Sequence, residues 1–177
     1  MNCAQGASHR ALIQNAMKNI QSRSCIRFKQ RTSQTNYIQF FRGDGCYSSV
    51  GRVGGRQYLS LGNGCHDIGS AMHEILHALG FYHEHMRSDR DNYLTIHWNN
   101  IENGMADQFT KVSNSKNKLY TKFDYNSIMI YGAKAFSKNG KNTMTPKQKG
   151  ARIIESHYKR NLSPLDVQTL NAIVKDF

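Results

Sequence analysis

Apolar positions recur along this chain with two different periods, and together they predict an α+β fold. In residues 8–22, Leu12, Ile13, Ala16, Met17 and Ile20 fall at helical spacing behind Ser8, a suitable N-cap. Residues 25–29, 37–41 and 57–61 alternate or are β-rich and predict strands, with Gly43-Asp44-Gly45 and Gly54-Gly55 as the turns between them. Residues 46–52 read as a further strand, polar on one side. Ile68, Ala71, Met72, Ile75, Leu76 and Leu79 give residues 68–79 the broad apolar face of a buried helix. From about residue 99 to residue 161 the periodicity fades into Asn, Lys and Gly, and irregular stretches of that length are often functional. Ser163-Pro164-Leu165-Asp166 starts a last helix, with Ser as cap and Pro in the first turn.

Chemistry concentrates where the central helix ends. Residues 73–83 read HEILHALGFYH, the HExxHxxGxxH pattern. His73 and His77, four apart, lie on one helix face. His83 lies six further on, where no straight helix can align it. Gly80 has no Cβ, so it can take a left-handed conformation, end the helix and return His83 toward the other two. Three imidazoles with an open fourth position make a catalytic zinc site rather than a structural one, and Glu74 stands beside it without being a ligand. A bare HExxH is a weak signal; the extended form with its Gly fixes five positions.

At 177 residues the chain is long enough for one domain with a sizeable core. No apolar run approaches the length of a membrane span. Residues 1–22 hold no apolar h-region, so the expectation is that no signal peptide is present. The 24 basic and 12 acidic residues leave +12, which favours polyanions or an extracellular matrix. Along the chain, however, the basic residues form no compact tract interleaved with aromatics, and a solvated basic surface is the preferred reading. A structural-zinc nucleic-acid binder is disfavoured because no fourth Cys or His stands at suitable spacing. Cys46 and Cys65 flank strand-and-turn sequence without the short spacing of a metal knuckle. A disulfide between them is the better reading, and it implies an oxidising, secreted setting. Cys3 and Cys25 are candidates for a second bridge; four cysteines allow three connectivities.

Residues 123–131, FDYNSIMIY, complete the picture. The run from His73 to Tyr93 (HExxHxxGxxHExxRxDRDxY), the SxMxY turn at Ser127 to Tyr131, CIRF at Cys25 to Phe28 and the paired cysteines together resemble the catalytic domain of the astacin family of zinc endopeptidases. The likeness runs from about Ser8 to Phe177. It implies a two-lobed fold over residues 1–177, divided near residue 80. The upper lobe would hold a mixed five-stranded sheet and two helices, and the lower would be mostly irregular with a C-terminal helix. It implies one Zn2+ on His73, His77 and His83, with Glu74 as general base and Tyr131 stabilising the reacting carbonyl. Met129 would be the apolar floor, and Arg87, Asp89, Arg90 and Asp91 a buried brace. Protein or peptide substrates would be cut internally, with the polar strand at residues 46–52 bordering the cleft as an edge that a peptide can pair with. An ordinary solvated edge has the same pattern.

Several positions depart from the family. Ile130 stands where His is usual. Only a short segment precedes the first helix, so the family's terminal contact to Glu84 is expected to be missing, leaving that carboxylate unpaired or solvated. The partner usual for Cys25 has no counterpart before Phe177, and the expectation is that the family's propeptide is absent. The loop at residues 144–152, with Lys147, Lys149 and Arg152, suggests a taste for acidic side chains after the scissile bond. His85 is expected at the surface and His66 in a loop, while His9, His97 and His157 carry no signal. Asn161-Leu162-Ser163 is a glycosylation sequon that Pro164 makes a poor acceptor.

Overall fold

The computed structural model describes residues 3–176, with side chains described for residues 8–175. Helix α1 spans Cys3–Arg23 and buries Ala16 and Ile20 completely, with Leu12, Ile13 and Met17 packed around them. It begins five residues before Ser8: Cys-Ala-Gln-Gly-Ala contains no proline, and its one glycine is tolerated within the helix. Cys3 therefore stands some 20 residues up a helix from Arg23, about 30 Å away at 1.5 Å per residue, so a Cys3–Cys25 bridge within one chain is out of reach. The side chain of Cys3 lies outside the described residues, and Cys25 is a free, exposed thiol.

Strands β1 (Tyr37–Phe41), β2 (Cys46–Ser48) and β3 (Arg56–Leu61) form one mixed sheet in the order β1-β3-β2, parallel in the first pair and antiparallel in the second. The upper-lobe sheet has three strands among the described residues, where five were expected. β4 (Leu94–Ile96) and β5 (Met144–Pro146) pair with each other elsewhere. Residues 25–29 form no strand, because side chains take their backbone donors. Cys25 N–H donates to Asn171 Oδ1 at 2.9 Å and Phe28 N–H to Gln21 Oε1 at 2.7 Å. Ile26 and Phe28 still pack on the core. The run at residues 46–52 keeps only three strand residues: the chain turns at Gly51, whose N–H donates to His77 O at 2.8 Å.

Helix α2 (Ile68–Ala78) crosses the sheet and is almost wholly buried. Its N-cap is Asp67, which accepts from Ser70 N and Oγ at 2.7 and 2.8 Å. At Gly69 a Cβ would lie 1.9 Å from Ser156 O, so only glycine lets the segment around Ser156 pass this close to the helix. Helix α3 (Pro164–Ile173) has a capping box formed by Ser163 and Asp166. Two apolar clusters result. One joins α1, the sheet, α2 and α3, and draws in Ile128 and Met129 from late in the chain. The other gathers Leu94, Ile101, Phe109, Phe123, Ile130, Met144 and Ile153 from loops and short turns. The disulfide Cys46–Cys65 is formed.

Candidate metal centre

The end of α2 is a Schellman turn. Gly80 takes φ +105°, its N–H donates to His77 O at 2.9 Å, and Phe81 N–H donates back to Leu76 O at 3.0 Å. The reversal brings the His83 ring to the two helical histidines. Its Nε2 lies 3.1 Å from His73 Nε2 and 3.0 Å from His77 Nε2. On the far side of each helical ring Nδ1 meets a carbonyl, Ile128 O at 2.8 Å for His73 and Phe81 O at 2.7 Å for His77. A carbonyl only accepts, so both Nδ1 atoms carry the proton and both Nε2 lone pairs face inward.

Lone pairs converging at that spacing repel one another unless a cation sits between them, and the three ligand atoms are grouped to hold one metal ion. Their protonation suits that use. Burial, then His77, pushes His73 down to about 3. Burial lowers His77, and burial followed by His73 and His77 holds His83 well below the usual imidazole range. All three are neutral in neutral solution. Glu74 is 5% exposed and Oε2 has no hydrogen-bond partner, so burial pushes its carboxyl up to about 8. An uncompensated buried carboxylate beside three inward lone pairs is the pattern that a cation and a water complete. The residues fit zinc.

Tyr131 closes the other side, its ring 4.4 Å from that of His83. Burial, then Glu74 and Glu155, raises its hydroxyl, so it stays protonated. Met129 is fully buried, and its carbonyl accepts from Glu84 N at 3.0 Å. The turn before Tyr131 hangs on Asp166, a residue that sequence reasoning noticed only as part of a helix start. Its carboxylate accepts from Ser127 Oγ at 2.6 Å and from the backbone N–H of Ile128 and Ser163 at 2.9 Å. Lys159, donating to Ser127 O, and Asp124, accepting from Ser163 Oγ, complete the web. Burial lowers Lys159 to about 8. Lone residues 39 apart in the chain, such as Ser127 and Asp166, carry no spacing signal.

Two expectations fail here. His85 is not at the surface: it is fully buried, stacked on His83 at 5.2 Å and 4.5 Å from the Tyr131 ring, with Nε2 against Gln108 O at 3.0 Å. A tight turn, Glu84–Met86, folds it back under the third ligand. Glu84 is neither unpaired nor solvated. It accepts from Arg87 Nη1 at 3.1 Å and from Asp124 N at 2.8 Å, though burial, only partly offset by Arg87, still pushes it up to about 7. The brace is present. Arg87 reaches Asp89 and the carbonyls of Thr121 and Lys122, and Arg90 reaches those of His85 and Phe109. Asp91 is the exposed member. His66 lies in a loop. The cleft over the histidines is bordered by Tyr47 and Ser48 of the edge strand, by Val50 and by Glu155, Ser156 and His157. Lys147, Lys149 and Arg152 do not line it, and Lys147 Nζ instead donates to Asp91 O.

The model of the peptidase family Astacin matches residues 2–175. "Zinc metalloproteinase nas-7" of Caenorhabditis elegans is 46% identical over 164 residues, 92% of this chain and 42% of that protein. "Astacin-like metalloprotease toxin 1" of Loxosceles intermedia is 42% identical over 93% of this chain and 64% of its own length. The chain thus spans less than two thirds of these relatives. Among solved structures, the hatching enzyme zinc-protease High choriolytic enzyme 1 of Oryzias latipes superposes with a TM-score of 0.85 at 40% identity, covering 94% of this chain and 82% of that one. Myroilysin, at 20% identity and a TM-score of 0.61, shares the fold.

Proposed function

The chain belongs to the astacin family of peptidases; on that premise we propose that it is a zinc-dependent endopeptidase in which His73, His77 and His83 hold the metal and Glu74 is the general base. The observation that carries this is the convergence of three inward Nε2 atoms, 3.0–3.1 Å from His83, beside the unpartnered buried Oε2 of Glu74. When bound, zinc supplies a Lewis acid that acidifies a water and polarises the scissile carbonyl. A cation held by the three neutral imidazoles would offset the burial that raises Glu74 and keep its carboxylate ionised. Glu74 takes the proton of the attacking water on Oε2 and passes it to the departing amine, so that water and amide become acid and amine. The protonated Tyr131 hydroxyl donates to the oxygen that gains charge, a contribution of about 3 kcal/mol per donor in other enzymes. The free edge of β2 offers main-chain groups to an extended peptide along the cleft.

The reading of residues 1–177 as one catalytic unit divided near Gly80 is supported as a unit by the larger apolar cluster, which joins α1, the sheet and α2 to Ile128, Met129 and α3 across that division. The disulfide supports secretion, and no helix among the described residues is long and apolar enough to cross a membrane. The preference for acidic side chains gives way to the opposite one. No Lys or Arg lines the cleft, while the Glu155 carboxylate does so without a hydrogen bond or ion pair among the described residues. Peptide-library profiling is expected to show basic residues enriched beside the cut and the enrichment lost in Glu155→Gln. Glu74→Ala is expected to keep stoichiometric zinc by metal analysis while turnover of a quenched peptide disappears; retained turnover would remove Glu74 as the base.

A further inference from the structure

The outer face of the three-stranded sheet carries chemistry that the metal centre does not use. Alternation sends Ile38, Phe40, Leu59 and Leu61 to the core and leaves Tyr37, Phe41, Arg56 and Tyr58 on the opposite side, in register across β1 and β3. Scanned along the chain the basic residues look scattered, yet pairing across strands assembles them with aromatics. The Arg31 guanidinium lies 4.0 Å over the Tyr37 ring and that of Arg56 lies 4.9 Å over Tyr58. Tyr58 meets Phe41 at 5.4 Å, and Phe41 meets Tyr47 at 5.9 Å. The face is open to solvent, Tyr58 being 43% and Tyr47 49% exposed.

Charge is concentrated in the part of the chain that builds α1 and this sheet. Residues 1–66 hold nine Lys or Arg against a single acid, Asp44, so 9 − 1 = +8 of the total +12 comes from this third of the chain. The ion pairs found among the described residues lie at residues 84–111, and none of them includes Arg31 or Arg56. A guanidinium held over a ring presents its remaining N–H groups to a tetrahedral oxyanion; Arg31 donates Nε–H to Gln34 O at 3.0 Å, which leaves its two Nη groups for that contact. The exposed tyrosine faces between these edges suit the flat C–H face of a sugar ring.

We propose that this face binds a sulfated polysaccharide, with sulfates on Arg31 and Arg56 and sugar rings on Tyr58 and Tyr47. Single-stranded nucleic acid also stacks on aromatics between cations, but the Cys46–Cys65 disulfide at the sheet's edge favours an oxidising compartment, where sulfated glycans are the abundant polyanion. Arg31, Tyr37, Arg56 and Tyr58 lie outside the cleft lining, whereas Tyr47 borders it, so a polymer held here runs along the sheet and ends at the rim of the cleft.

The test is binding of the intact chain to immobilised heparin across a salt series. Arg31→Glu with Arg56→Glu is expected to lose retention at physiological salt. Tyr58→Ala should weaken binding without changing the salt slope, because it removes no charge. Lys138→Glu with Lys141→Glu, exposed residues elsewhere whose reversal also takes +12 to +8, is expected to stay near the parent. Peptide turnover should be unaltered in all three. Equal loss in the lysine control, undiminished binding to fully desulfated heparin, or tighter binding to a single-stranded oligonucleotide than to heparin would each overturn the assignment.

Discussion

The two apolar clusters are held together by different means. Around α2 the backbone satisfies itself through helix and strand ladders, and packing of Leu59, Leu61, Ile75 and Leu76 completes the stabilisation. Around Phe109 and Phe123 the chain is a succession of short turns whose carbonyls have no ladder to join. There, buried arginines take over. Arg87 and Arg90 reach across the chain to the carbonyls of Thr121, Lys122, His85 and Phe109. Irregular backbone can be buried if a side chain with several donors replaces the missing strand partners.

That contrast predicts which substitutions hurt where. The largest loss is expected at Arg90, 3% exposed: Arg90→Ala strands two carbonyls at once and should cost about 3–5 kcal/mol by urea unfolding. Arg90→Lys should recover little, since an ammonium cannot span both acceptors; full recovery would break the comparison. In the other cluster, fully buried Leu76→Ala should cost about 3 kcal/mol through a cavity, while Leu76→Met should be nearly silent. A further effect, confined to alkaline solution, sits at Lys159, whose amine donates to Ser127 O. Burial lowers its amine to about 8 from 10.5, so between these values the unfolded chain binds the proton that the folded chain has released. Stability should therefore rise as pH climbs from 8 to 10.5, and the urea midpoint of Lys159→Met should lack that component of the rise. A variant with the parent's slope would show that Lys159 is charged and solvated.

Local codes were readable and remote ones were not. The three histidines, Gly80, strand Tyr37–Phe41 and the Ser163 cap all follow from residues within a few positions of one another, and all stand where expected. The strand at residues 25–29 failed because Gln21 and Asn171 compete for its N–H groups, and a propensity run contains no sign of that. His85 and Glu84 were misjudged because a turn and distant partners, Gln108 and Asp124, bury them. The web of Asp124, Lys159 and Asp166 under the Tyr131 turn, like the stripe from Arg31 to Tyr47, exists only once separate elements are side by side.

The reversal at Gly80 does two jobs with one set of bonds. It delivers His83, and through the Phe81 carbonyl it orients His77. Fraying of the last helical turn would therefore disarm two of the three imidazoles together. Loss of the ion and local melting of that helix end become a single event, and hydrogen exchange at Gly80 and Phe81 should slow in step with zinc occupancy.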